Sequence, residues 1–168
     1  GITIADEKGH LDERMYKILE IIKKYDMVLA TGHISPVECF AVIEEARKMG
    51  IDKIIITHPL GSEIVMDKVL TIEEVKQLTA MGAYAEHTFV FHLPTEFSVD
   101  PAITVDNIRK IGADKCIIST DLGLLGRNPN PIEGMRMYIS MLDYKGMTEE
   151  EITLMAKTNP AKLLGLDD

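Results

Sequence analysis

Tryptophan is absent from this chain, and aromatic residues of all kinds make up only 5% of it. Core filling therefore falls to Ile, Leu, Val and ten Met. Cysteine is scarce. Cys39 and Cys116 both sit in apolar contexts, which gives no disulfide framework and suits a reducing compartment. Positive charge is in deficit, with 18 Lys and Arg against 27 Asp and Glu and a formal net charge of −9. The sequence carries no basic stripe, which argues against a nucleic-acid backbone or an anionic membrane as the main partner. It also has no apolar run of about 18 residues and no basic-then-apolar leader pattern. The expectation is a soluble cytoplasmic protein. Met is missing from the first position, and the strand-like Ile2-Thr3-Ile4 follows Gly1 directly. We expect either a piece of something longer or a start altered by an added residue.

The 168 residues that are present suffice for one domain with a proper core. Hydrophobic residues at 46% and charged residues at 27% are ordinary globular values. Residues 2–4 and 10–11 flank a Gly turn and read as a short hairpin. A helix follows over 12–25, with Leu11, Met15, Ile18, Leu19 and Ile22 on one face. The first strand covers 27–31 and ends at Gly32-His33.

Ser35-Pro36-Val37-Glu38 is a helix start in which Ser35 caps, Pro36 takes the first turn and Glu38 completes a capping box. That helix reaches Met49 and stops at Gly50. A strand over 53–57 ends at His58-Pro59. After a long loop, 60–70, the box Thr71-Ile72-Glu73-Glu74 opens a helix that buries Ile72, Val75, Leu78 and Met81. A third strand, 83–86, reads as shorter and weaker and ends at His87. Loop 88–99 precedes a helix opened by Asp100-Pro101, with Ile103, Val105, Ile108 and Ile111 on its apolar face. The fourth strand, 115–120, delivers Asp121. Loop 122–130 leads to helices over 131–144 and 148–157.

Four near-continuously apolar strands alternate with helices, as in a parallel sheet buried on both faces. An internal echo supports repetition: Arg47-Lys48-Met49-Gly50-Ile51-Asp52-Lys53 matches Arg109-Lys110-Ile111-Gly112-Ala113-Asp114-Lys115, two units later. Helix-to-strand links are short, whereas the strand-to-helix links after His58, His87 and Asp121 are long. In α/β sheets and barrels the site lies at the carboxyl ends of the strands. His33, His58, His87 and Asp121 all occupy that edge.

Adjacent strands sit about 4.8 Å apart. Imidazoles ending two neighbouring strands can share one metal ion at bonds of about 2.0–2.1 Å. Asp121 would add a carboxylate, hold a water and take its proton. Plainer readings stand beside this one. A strand-end His often caps a carbonyl, and Asp121 can cap the turn at Leu122-Gly123. Alternation sends Glu86 and His87 to opposite sides, so only one faces the mouth. His10 and His92 read as solvated, and Cys39 and Cys116 as core. Arg127 is a candidate for an anionic substrate group. Glu149-Glu150-Glu151 reads as a helix N-terminus.

Leu29-Ala30-Thr31-Gly32-His33, Ile55-Ile56-Thr57-His58-Pro59, Ser119-Thr120-Asp121 and the tail Met147-Thr148-Glu149-Glu150 to Asn159-Pro160-Ala161-Lys162-Leu163-Leu164-Gly165-Leu166 resemble the amidohydrolase superfamily of metal-dependent hydrolases. The wording is closest to an uncharacterised branch. The resemblance covers the chain from about Asp26 onward. It implies a (β/α)8 TIM-type barrel with one or two divalent ions, zinc first, with Mn, Fe or Ni as alternatives. His33, His58 and Asp121 would be the metal ligands, Asp121 also the proton shuttle, and Glu86, His87 and Arg127 substrate contacts. The family's first strand supplies an H-x-H pair. This chain has five His and no such pair, so it corresponds to the C-terminal half of a barrel. A missing N-terminal half, a second copy in a homo-oligomer or another chain would complete it.

The activity implied is hydrolysis of a small-molecule amide, cyclic amide or ester. A decarboxylase or phosphoester hydrolase on the same scaffold is the nearest alternative, because fold does not fix chemistry. A non-catalytic α/β binding or assembly module is the alternative from another class.

Overall fold

In the computed structural model, which describes residues 2–62, 69–123 and 129–166, four strands form one parallel sheet in the order β1-β2-β3-β4. They are β1 (Leu29–Ala30), β2 (Ile54–Ile56), β3 (Tyr84–Thr88) and β4 (Cys116–Ser119). Helices follow and precede them: α1 (Glu13–Lys24), α2 (Pro36–Lys48), α3 (Ile72–Ala80), α4 (Pro101–Ile111) and α5 (Pro131–Tyr144). The chain closes with α6 (Glu149–Thr153), a π-helical turn (Leu154–Thr158) and α7 (Asn159–Leu164). Sequential parallel neighbours joined by helices are the (β/α)8 pattern, here with four units.

Capping decides where the helices begin. Ser35, Thr71 and Thr148 each accept from an amide three residues on, and Glu38, Glu74 and Glu151 answer with reciprocal bonds. Glu38 does more, since its carboxylate accepts from Ile4 N–H at 2.8 Å and pins the N-terminal segment to α2. The expected hairpin is reduced to a single antiparallel bridge, Ala5 to Leu11. The two echoing stretches both form helix-to-strand turns, with Gly50 at φ 79° and Gly112 at φ 104°. A side chain on Gly112 would also meet Asp114 Oδ1 at 2.6 Å.

The core lies between sheet and helices and includes Ile43, Ile54, Ile56, Val75, Leu78, Ala85, Ile108, Cys116, Tyr138, Leu142 and Met155. Both cysteines are buried in it. Some expectations change. Strand β3 is the longest of the four, because Glu86 and Thr88 keep its ladder to β4 running as far as Thr88–Ser119. Loop 88–99 contains a 3-10 turn (Phe89–His92) that buries Phe89, Phe91 and Leu93. On α4 the buried face is Thr104, Val105, Ile108 and Ile111, and Ile103 lies off it at 54% exposure. Ile18 on α1 is likewise largely exposed, because the stripe centred on Leu19 turns it away. The closing helix passes beyond residue 157. Pro160 lacks an N–H, so the ladder shifts to a π turn, in which Asn159 N–H reaches back to Leu154 O. Among the described residues, no helix is long and apolar enough to cross a membrane.

Candidate functional site

The ends of β1 and β2 are held together by a pair of threonines. Thr31 Oγ1 accepts from Thr57 N–H at 3.1 Å, and Thr57 Oγ1 accepts from Gly32 N–H at 3.0 Å. Each hydroxyl thus extends the backbone ladder one step past the regular strands. The next residues are the two histidines. Nε2 of exposed His33 stands 2.9 Å from Nε2 of buried His58, with ring centroids 4.7 Å apart. Phe91 backs the His58 ring edge-on at 5.3 Å.

That separation has a chemical consequence. Two nitrogens at 2.9 Å share one proton, so at most one ring carries hydrogen on Nε2. The same distance is close to that of two ligands of one ion, because bonds of about 2.0–2.1 Å separate their nitrogens by about 2.9 Å at a right angle and about 3.3 Å at the tetrahedral angle. The histidine pair therefore fits a divalent metal. Among the described residues, no group of three His, Cys, Asp or Glu side chains comes close enough to hold an ion, so Asp121, the expected third ligand, does not join the histidine pair.

Glu86 gathers the other strand ends. One carboxylate oxygen accepts from Ser119 Oγ at 2.8 Å on β4, and the other from His58 N–H at 3.3 Å. Sequence reasoning missed Ser119 and the threonine pair. The signal for the pair was present in Thr31-Gly32-His33 and Thr57-His58, where each histidine closely follows a threonine. Asp121 is exposed just past β4. His58 and Asp121 have positive φ, 26° and 50°, and the only other described non-Gly residue of this kind is Asp26. Such backbone costs on the order of 1–3 kcal/mol and concentrates at functional sites.

His87 goes the other way. It is 6% exposed and lines a cavity of about 10 Å³ with Thr104 from α4 and Tyr138 from α5. Burial, helped by the neighbouring His92, pulls its pKa down to about 4. His92 is not solvated as its loop position suggested. It is half-buried, its Nδ1 lies 3.0 Å from Val99 O, and burial lowers its pKa. His10 is exposed and pairs with Asp6 at 3.0 Å. Arg127 lies outside the described residues.

The fold is that of (β/α)8 barrels, of which this chain forms four units. A phosphotriesterase homology protein from Escherichia coli, with phosphate in its active site, superposes with a TM-score of 0.68 at 14% identity over 95% of this chain. An amidohydrolase from Burkholderia multivorans with bound HEPES superposes with a TM-score of 0.65 at 11% identity over 92%. The chain spans 57% and 58% of those two proteins. No curated protein matches it in sequence. The chain belongs to the family described as "Family of unknown function (DUF6282)", whose model matches residues 1–86.

Proposed function

We propose that this chain is part of a metal-dependent hydrolase acting on a small-molecule amide, cyclic amide or ester. The observation that carries the reading is the 2.9 Å approach of His33 and His58 at the ends of adjacent parallel strands. In this reading the two Nε2 atoms hold a divalent ion, zinc first, with Mn, Fe or Ni as alternatives. A bound ion would polarise the bond under attack and lower the pKa of a nearby water towards about 7. Asp121, open to solvent beyond β4, takes the proton of that water. Glu86 holds the His58 backbone and Ser119 in place and has lone pairs left for a substrate N–H or O–H. Arg127 is the candidate for an anionic substrate group. Strands outside this chain supply the remaining ligands, either from the rest of the same protein or from a second chain.

The test is metal content and turnover of the whole protein with His58→Ala and Asp121→Asn beside it. His58→Ala should lose at least tenfold in metal affinity. Asp121→Asn should keep the metal and lose about 10²–10⁴ in kcat. Unchanged metal in His58→Ala would overturn the ligand assignment and leave a non-catalytic module as the better reading. Phosphoester hydrolysis at the same residues is the second reading, favoured by the phosphate in the E. coli neighbour's active site. A panel of amides, lactones and phosphoesters separates the two.

A further inference from the structure

The buried side-chain polar atoms without a hydrogen-bond partner among the described residues are His58 Nδ1, His87 Nε2, Thr88 Oγ1 and the Tyr138 hydroxyl. All four side chains line one cavity, between the end of the sheet and the α4–α5 layer. They are 5%, 6%, 3% and 0% exposed. Four unrelated orphans would be scattered through the core, because buried polar groups are almost always paired. Their convergence marks a site built for a polar occupant.

The cavity measures about 10 Å³, which is room for one water. Among the described residues, Glu86 is the only acidic residue in its lining and no Lys or Arg lines it, which suits a neutral occupant better than an anion. The four groups also suit water in their hydrogen-bond roles. Tyr138 and a protonated His58 Nδ1 donate, while His87 Nε2 and Thr88 Oγ1 accept. One water has two lone pairs for the first two and two protons for the others.

We infer that this cavity is a binding site for a single structural water, and that the water holds His58 in its Nδ1–H form. That form leaves Nε2 of His58 as a lone pair directed at His33. Tyr138, from a helix distant in sequence, is then a positioning residue for the histidine pair. The role assigned to the water, though not the site itself, rests on reading His58 as a metal ligand. A ligating imidazole needs its second nitrogen held, and loss of such a partner typically costs 10–100-fold in affinity.

The experiment uses the full chain with ¹⁵N-labelled histidine, first without metal. Long-range ¹H–¹⁵N spectra report each tautomer, and water-to-ring cross-peaks report a bound water. The expected result is His58 in the Nδ1–H form, with cross-peaks from water to the rings of His58 and Tyr138. Tyr138→Phe keeps the ring that packs on Phe89 and His92 at 5.5 and 5.4 Å and removes only the hydroxyl. With one of its four partners gone the water should leave, and His58, left without an acceptor at Nδ1, should shift towards the Nε2–H form that donates to His33 and weaken zinc binding roughly tenfold. Thr88→Val, which is isosteric, should shift the tautomer in the same direction if Tyr138→Phe fails to fold. Absence of water cross-peaks, or an unchanged His58 tautomer in the folded variants, overturns the site. A shifted tautomer in a protein whose wild type binds no zinc supports the site and overturns the metal-ligand reading alone.

Discussion

Burial holds His87 neutral, with a pKa of about 4, and His92 is lowered in the same sense. The unfolded chain takes up a proton at this position near 6.5, so between 6.5 and 4 it binds more protons than the folded state. Stability from this residue is fully present above about pH 6.5 and lost as pH falls towards 4, by at most about 3 kcal/mol. Glu38 acts in a lower window. Burial pushes its carboxyl up, but hydrogen bonds from the Ser35 hydroxyl, the Ile4 amide and the Ser35 amide bring it below the usual range. Urea unfolding at pH 7 and at pH 4.5 should therefore show a steeper acid loss for the wild type than for His87→Asn. Equal losses in the two proteins would remove His87 as the source. The neutrality of His87 was not legible in the sequence, where Glu86-His87 showed only that the two diverge. Which one turned inward depended on Tyr138 and Thr104, from helices that follow later in the chain.

At the scale of elements, the closing helices pack on the core through Met155 and are also tied to the sheet's last strand by a side-chain amide. Asn159 is 1% exposed, and its Nδ2 donates to Ala113 O at 2.8 Å and to Cys116 O at 2.7 Å. Those carbonyls bracket the turn into β4, the strand that carries Ser119 and leads to Asp121. Asn159→Ala would leave both carbonyls buried without their donor and open a cavity beside Met155. The expected cost is roughly 2–4 kcal/mol in a denaturant titration. Less than about 0.5 kcal/mol would show that water replaces the amide without penalty. The helices and strands themselves were readable because capping boxes and apolar runs are local signals. Ser35 and Thr71 announced their helices within four residues. The amide of Asn159 was not readable as a staple, since its partners lie more than forty residues away. The length of β3 was misread for a related reason. Glu86, His87 and Thr88 look polar in sequence, and only their cross-strand partners keep them in the ladder.

At the scale of the molecule, the sheet has two edges, β1 and β4, each paired on one side among the described residues. On α1 and the turn that leads from it into β1, Ile18, Ile21, Tyr25 and Met27 are 46–65% exposed. A parallel sheet of this kind is ordinarily covered or closed, because unpaired edges invite association. In the reading proposed above, the candidate site is incomplete in the same way. His33 and His58 supply two nitrogens, whereas a catalytic zinc ordinarily takes three protein ligands and leaves a fourth position for substrate or water. Both shortfalls have one remedy, since strands placed beside β1 and β4 would cover the edges and bring further ligands to the same mouth. The chain alone should therefore bind zinc weakly and self-associate in sedimentation experiments. On the reading proposed above, a longer protein carrying further strands should be better behaved and bind zinc at least tenfold more tightly, a gain of about 1.4 kcal/mol. His58→Ala should abolish that gain, because added strands can complete a site only if the pair at its base is intact. Equal zinc affinity in the short and long proteins would mean that the His33–His58 pair does not belong to a shared metal centre, and that its 2.9 Å contact is a hydrogen bond serving only to close the ends of β1 and β2.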